Sequence, residues 1–259
     1  MKHHERILIQ GHRGARAVRP ENTLAGFEYA LEVGVDVLEL DLAVTRDGVL
    51  VVSHAPYIDY ERYTAIHSTN PGGRGRLIRS LTRSELRDTT IPTLEEVFQM
   101  VKASRLPAAR EVRFNIETKS FRDTTLDDHP LPPSEFARLW LDVVMKHGML
   151  ERSILQSFDW RTLIAAKALD EGIVISILTE DPSEDLVATA AALRPEWISP
   201  RWDMPNVTKN AVDRLHQRGV RIVVWTPNEP MAWDLLIGMG VDSIITDDPA
   251  ALIFHLSSH

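Results

Sequence analysis

The chain of 259 residues contains no cysteine. That excludes disulfides, thiolate metal sites and a cysteine nucleophile, and it leaves the redox compartment open. Long apolar runs are also missing. Nothing approaches the roughly 20 residues that span a bilayer. The stretch 1–10 offers only Ile7-Leu8-Ile9, against the roughly 7–15 apolar residues of a secretory signal. The expectation is a cytoplasmic protein with no integral membrane segment. Positive charge is in deficit, with 29 lysines and arginines against 37 acids and a net charge of −8. Nucleic acid wants a basic face, so no nucleic-acid partner is expected; a few cations gathered in a cleft can still hold a small phosphate-bearing substrate. No G-x-G-x-x-G turn follows any strand-like run, which speaks against a doubly wound dinucleotide-binding sheet. Ser157 has no nucleophile-elbow context, so a serine hydrolase is not indicated. No repeat, low-complexity tract or linker divides the chain, and residues 1–259 read as one catalytic domain. No pattern sets an oligomeric state.

What the chain does have is alternation. Hydrophobic residues make up 44% of it, arranged as short β-rich runs followed by helical patterns. Ile7-Leu8-Ile9 is closed by Gly11. Asn22 or Thr23 then caps a helix with Leu24, Phe27, Ala30 and Leu31 on one face, stopped by Gly34. Further strands are expected at 37–44, 112–116, 153–157, 173–178, 197–199, 220–225 and 243–246, each followed by a helix. Eight strand–helix units in about 250 residues is the arithmetic of a TIM barrel.

Two segments depart from the alternation. Val49-Leu50-Val51-Val52 follows Val44 too closely for a parallel crossover, so it must return as a hairpin arm. A turn centred on Asp47 pairs residue 45 with 49 and 41 with 53, which brings His54 back beside Glu39 and Asp41. Residues 57–91, with Asn70-Pro71-Gly72-Gly73 and Arg74, Arg76, Arg79 and Arg83, read as a loop insertion over the mouth of a site, with a short helical piece near 84–88.

Polar residues gather where the apolar strands end: His12 and Arg13, Glu39 and Asp41, Glu117 and Lys119, Gln156, Trp225. In a barrel those ends form one face, the one that carries active sites. Glu39, Asp41 and Glu117 form an all-oxygen trio suited to one hard divalent cation, Mg2+ or Ca2+; zinc prefers histidine and cysteine. The bland alternative is that these acids merely pair with Arg13 and Lys119. His12 and His54 suit proton transfer near neutral pH, although both could instead ligate metal. Arg13 and Lys119 offer fixed positive charge for phosphoryl oxygens. Gln156 is placed to bond substrate or the groups that support the site. Trp225 either walls a small substrate or packs the barrel top. His67, His129, His147 and His216 read as surface residues.

Together, Gly11-His12-Arg13-Gly14, Pro20-Glu21-Asn22-Thr23, Glu39-Leu40-Asp41, Asp47-Gly48 with Ser53-His54, Pro92-Thr93-Leu94, Asn115-Ile116-Glu117-Thr118-Lys119, Gln156-Ser157-Phe158 and Val224-Trp225-Thr226 resemble the glycerophosphodiester phosphodiesterases. The resemblance spans nearly the whole chain. It implies a TIM barrel of the phospholipase-C-like type, metal on Glu39, Asp41 and Glu117, His12 and His54 as acid and base, and Arg13 and Lys119 on the phosphate. It also implies attack by the substrate's own glycerol 2-hydroxyl, giving a cyclic phosphate that water opens. The products are glycerol 3-phosphate and an alcohol. The rivals are a lysophospholipase-D-like or cyclising phosphodiester lyase on a similar barrel, and a barrel that binds phosphodiesters without turning them over. One position departs from the family pattern: Ala55 follows His54 where aspartate is common.

Overall fold

The first helix shows how closely local chemistry sets the elements. Thr23 accepts a hydrogen bond from the Gly26 amide and Gly34 closes the helix in the left-handed region at φ 90°, where a residue without Cβ is unstrained. Asn22 is therefore free of capping duty. The structure is a computed structural model, and it describes residues 6–59, 64–66, 75–119 and 131–258.

In chain order β1 (Leu8–Gly11), α1 (Leu24–Val33), β2 (Val37–Val44) and β3 (Leu50–Val52) come first. Three short strands follow, β4 (Tyr57–Asp59), β5 (Thr64–Ile66) and β6 (Gly75–Leu77), then α2 (Leu94–Ala103) and α3 (Pro107–Glu111). Next are β7 (Arg113–Thr118), α4 (Pro133–Lys146), β8 (Ser153–Ser157), α5 (Trp160–Leu169), β9 (Val174–Thr179) and α6 (Leu186–Leu193). The chain closes with β10 (Trp197–Pro200), α7 (Lys209–His216), β11 (Arg221–Trp225), α8 (Pro230–Met239), β12 (Ser243–Thr246) and α9 (Pro249–Ser257).

The parallel strands run in the order β1-β12-β11-β10-β9-β8-β7-β2, and pairing of β1 with β2 closes them into the expected barrel. β3 pairs antiparallel to β2 with Leu42 opposite Val52 and Val44 opposite Leu50. That is the register expected of a turn at Asp47, and the Ser53 amide donates to the Asp41 carbonyl at 2.9 Å.

Period-two alternation sorts the side chains into two shells. Leu38, Leu40, Leu42, Phe114, Ile116, Leu155, Ile175 and Ile177 face the helices in the main core. Each such side chain stabilises the fold by roughly 1.5–3 kcal/mol. Ile154, Trp197, Val223 and Ile245 fill a second cluster with Leu8, Val174 and Trp225 packed against it. On β2, β7 and β8 the residues alternating with the helix-facing ones are Glu39, Asp41, Asn115, Glu117 and Gln156, all buried. The apolar outer shell is what tolerates so much polarity at the centre.

Within 57–91 the described residues are more organised than a loop. β4, β5 and β6 form a small antiparallel sheet in the order β5-β4-β6. Ile58, Ile78, Leu81, Leu86 and Ile91 make a separate apolar cluster under Val51 of the hairpin arm. A 3-10 turn at Arg83–Leu86, closed by a Thr82/Glu85 capping box, is the expected helical piece. Residues 60–63 and 67–74, His67 among them, lie outside the described residues, as do 120–130 with His129. α3 carries too few residues for its periodicity to announce it. His147 is not the surface residue its position suggested: its side chain is only 10% exposed, tilted against the Phe98 ring at 5.7 Å.

Candidate active site

β1 ends at Gly11, whose partner on β12 is Thr246. The next residue on each side, His12 and Asp247, therefore stand together, with 2.5 Å between His12 Nδ1 and Asp247 Oδ1. The second oxygen of Asp247 accepts from Asn228 Nδ2 at 2.9 Å. Asn228 cannot flip, because its own Oδ1 accepts from the Thr246 hydroxyl and the Asp247 amide. Burial lowers the proton affinity of His12, and the bond to Asp247 offsets this only in part. A neutral imidazole results, with Nδ1–H given to Asp247 and Nε2 left as the basic nitrogen.

Asp247 was not among the residues picked out from sequence. The rule that found the others, polar residues just past a strand end, covers it. Thr246-Asp247-Asp248-Pro249 reads instead as a helix start, and Asp248 is indeed the cap, accepting from the Ala251 amide.

The turn after β1 builds the next part of the site. Arg13 sits at φ 49° and Asn22 at φ 56°, uncommon values for residues with side chains. The Arg13 amide donates to Glu39 Oε2 at 2.9 Å. Its guanidinium reaches Glu21 at 3.1 Å and Asp41 Oδ2 at 3.2 Å. Asn22 Nδ2 donates to Asp41 Oδ2 at 2.8 Å. Pro20-Glu21-Asn22-Thr23 thus does three jobs in sequence: hold Arg13, hold Asp41, start α1. Gly14, at φ +91°, lets the turn touch that helix; a Cβ there would lie 2.7 Å from the Gly26 carbonyl carbon. Gly14→Ala is expected to cost about 2 kcal/mol or more, read as a lowered urea midpoint at unchanged slope.

Glu39 and Asp41 alternate on β2 with the outward leucines, and Asp41 is level with Glu117 on β7. One oxygen from each of Glu39, Asp41 and Glu117 lies within 4.8 Å of the others, and all three residues are buried. Lys119 Nζ lies 2.5 Å from Glu117 and 3.0 Å from Asp41. Against three carboxylates stand Arg13, itself shared with Glu21, and Lys119, so negative charge is in surplus. Burial, then Asp41 and Glu117, push Glu39 well above the usual carboxylate range. Burial likewise lifts Glu117 to about 7 even though Lys119 pulls the other way. Burial would raise Asp41 too, but Lys119 and Arg13 hold it far below. An all-oxygen, electron-rich, partly protonated pocket is what a divalent cation fits. The ion pairs to Arg13 and Lys119 also exist, so the bland alternative describes part of the wiring and not its surplus charge.

His54 follows the hairpin arm and stands close enough to act electrostatically on Asp41, in keeping with the register. Gln156 turns to the site's supporting groups, donating from Nε2 to Glu39 Oε1 at 2.9 Å. Trp225 is tied through Nε1 to the Ser199 carbonyl at 2.9 Å and meets Phe158 edge-on at 5.6 Å. Ala55 is buried, its carbonyl accepting from the Ser53 hydroxyl at 2.9 Å. A cavity of about 670 Å³ opens from Glu117 and Lys119 towards Phe158, Trp160, Glu180 and Glu184.

The sequence model of the glycerophosphoryl diester phosphodiesterase family matches residues 12–251. A glycerophosphodiester phosphodiesterase of Caldanaerobacter subterraneus is 30% identical over 261 residues, covering 96% of this chain and 97% of its own. The crystal structure of the Thermotoga maritima glycerophosphodiester phosphodiesterase superposes with a TM-score of 0.73 at 27% identity, over 97% of this chain and 99% of that one. An Oleispira antarctica phosphodiesterase, solved with its product sn-glycerol-3-phosphate, shares the fold with a TM-score of 0.77 at 20% identity, over 96% of each chain.

Proposed function

The chain belongs to the glycerophosphoryl diester phosphodiesterase family, and from that premise we propose that it hydrolyses glycerophosphodiesters to glycerol 3-phosphate and an alcohol. The observation that carries the reading is the buried trio Glu39, Asp41 and Glu117 set beside Lys119, His54 and the His12–Asp247 pair. Glu39, Asp41 and Glu117 would hold one divalent cation, Mg2+ or Ca2+. When bound, it supplies Lewis-acid polarisation of the phosphoryl group.

The rest is the work of side chains. Arg13 and Lys119 draw the non-bridging oxygens into place and stabilise charge as it builds there. His12, neutral with Asp247 on Nδ1, takes the proton of the attacking hydroxyl at Nε2. His54 returns a proton to the departing alcohol oxygen. In the first step the glycerol 2-hydroxyl attacks phosphorus as the P–O bond to the alcohol breaks. In the second the roles exchange, His54 taking a proton from water and His12 returning its proton to the 2-oxygen as the cyclic P–O bond opens. The alcohol extends past Lys119 into the cavity, whose lining includes Glu180, Asp181 and Glu184. That acidity favours a cationic alcohol over a neutral one. The net charge of −8 fits a small substrate better than nucleic acid.

The test is a matrix of metals against substrates. Mg2+ or Ca2+ should support release of glycerol 3-phosphate from glycerophosphocholine faster than from glycerophosphoglycerol. EDTA should abolish it, and added metal should restore it. Activity that survives EDTA rules out the metal role. Accumulation of cyclic phosphate would make the protein a lyase, preference for lysophospholipids a lysophospholipase D, and binding without turnover a non-catalytic barrel.

A further inference from the structure

Glu39 is held from below as well as from above. Gln156 Nε2 donates to its Oε1 at 2.9 Å. Asn115 Nδ2 donates at 3.0 Å to Gln156 Oε1 and at 2.9 Å to Gln10 Oε1. Gln10 Nε2 donates at 3.0 Å to Ser243 Oγ, and that hydroxyl donates at 2.8 Å to the Leu8 carbonyl. Gln10, Asn115, Gln156 and Ser243 are at most 1% exposed. The string therefore crosses the barrel interior away from water, on β12, β1, β7, β8 and β2.

Its polarity is fixed at both ends by backbone groups that cannot reverse. The Leu8 carbonyl can only accept, so the Ser243 hydroxyl donates to it and is left to accept from Gln10. Gln10 then turns its oxygen to Asn115, which spends both N–H groups on the two glutamines. The Asn115 oxygen takes no donor among the described residues; flipping that amide would set oxygen against oxygen twice. Gln156 must in turn present its NH2 to Glu39. At the other end the Arg13 amide can only donate, and it meets Glu39 Oε2. Glu39 is thus gripped by one donor on each oxygen.

We propose that Gln10, Asn115 and Ser243 are positioning residues which, through Gln156, fix the orientation of Glu39 in the metal site. The proposal rests on the reading of Glu39 as a metal ligand. It assigns a role in the metal site to residues that touch neither ion nor substrate. Outer hydrogen-bond partners of metal ligands typically govern 10–100-fold in affinity, and a buried string is costly to leave half satisfied.

The test is Mn2+ binding to the purified protein, by calorimetry and by the Mn2+ electron paramagnetic resonance spectrum. Asn115→Leu is expected to weaken Mn2+ about 10–100-fold with the circular dichroism spectrum retained, and turnover should recover at saturating Mn2+. Asn115→Leu placed on Gln156→Leu should add little beyond Gln156→Leu alone, because the string is already cut. Ser243→Ala removes one hydroxyl at the far end; it keeps the proposal testable if the leucine variant does not fold, and should weaken Mn2+ about threefold or more. Wild-type affinity in a folded Asn115→Leu or in Ser243→Ala overturns the proposal, as does full additivity in the double variant. Failure of the wild-type protein to bind Mn2+ would instead overturn the metal reading beneath it.

Discussion

Glu117→Gln is expected to cripple turnover and, without metal, to make the protein more stable at pH 8. Both follow from one buried oxygen. Glu117 lies against Lys119 and shares a hydrogen bond with Asp41. A glutamine can present its oxygen to Lys119 and its NH2 to Asp41, so the fold accepts it. The charge that would hold the cation is gone, and a loss of several kcal/mol of transition-state stabilisation is about a thousandfold in rate. Stability moves the other way. Glu117 titrates at about 7 in the fold, against 4.5 for an ordinary glutamate. Between these values the native state keeps a proton that the unfolded chain has lost, so stability falls as pH rises. The loss is complete above the folded value. At about 1.4 kcal/mol per pH unit of separation it is on the order of 3 kcal/mol. Glutamine does not titrate and escapes it. In EDTA, the two proteins should therefore unfold at similar temperatures at pH 5. By pH 8 the variant should lead by roughly 6–12 °C. An equal gap at both pH values would mean that Glu117 is not protonated in the fold. Added Mg2+ or Ca2+ should reverse the order at pH 8.

The same substitution at Glu39 is not equivalent. Gln156 and the Arg13 amide place a donor on each Glu39 oxygen, so a glutamine NH2 there meets another donor whichever way it turns. Two carboxylates of one trio thus differ in what can replace them, and the difference comes from strands that pass beneath the site.

That contrast marks what the sequence can and cannot disclose. Glu39, Asp41 and Glu117 were legible because charge interrupting an apolar strand is costly and so conspicuous. His54 was legible because a two-residue period and a short turn leave the hairpin one workable register, and Leu42 does face Val52. Gln10 and Asn115 carry no charge. Each is a single amide in an apolar run, and only assembly of the barrel, which sets β1 against β12 and β7 against β8, makes them neighbours of Ser243 and Gln156. Gln156 itself stood out as polar, but whether it faced substrate or Glu39 depended on the same assembly. The small sheet at 57–91 escaped for another reason. Its strands are three residues long, too short for alternation to separate them from loop. Asp247 was hidden by its neighbour Asp248, which supplies the cap that the local sequence leads one to expect.

Asp247→Asn is expected to lower kcat by about a thousandfold to ten-thousandfold with KM little changed. The geometry allows the asparagine one orientation. Asn228 is locked with its NH2 towards residue 247 by the Thr246 hydroxyl and the 247 amide, so the new side chain must turn its oxygen to Asn228. Its NH2 then points at His12 Nδ1, where Asp247 Oδ1 now stands at 2.5 Å. A donor in that position forces Nδ1 to accept, and the ring proton moves to Nε2. The nitrogen that should take the hydroxyl proton then carries one already. In the serine-protease triad the corresponding aspartate-to-asparagine change costs about 10⁴ in kcat by this route. Because KM reports binding shared by ground and transition states, a change confined to kcat separates a wrong tautomer from a damaged pocket. A pH profile separates them further. At alkaline pH the variant should regain part of the loss, because hydroxide can take the 2-hydroxyl proton in place of the missing base. A variant that keeps wild-type kcat at pH 7 would show that Nε2 of His12 is not the base, which would then have to be sought at His54.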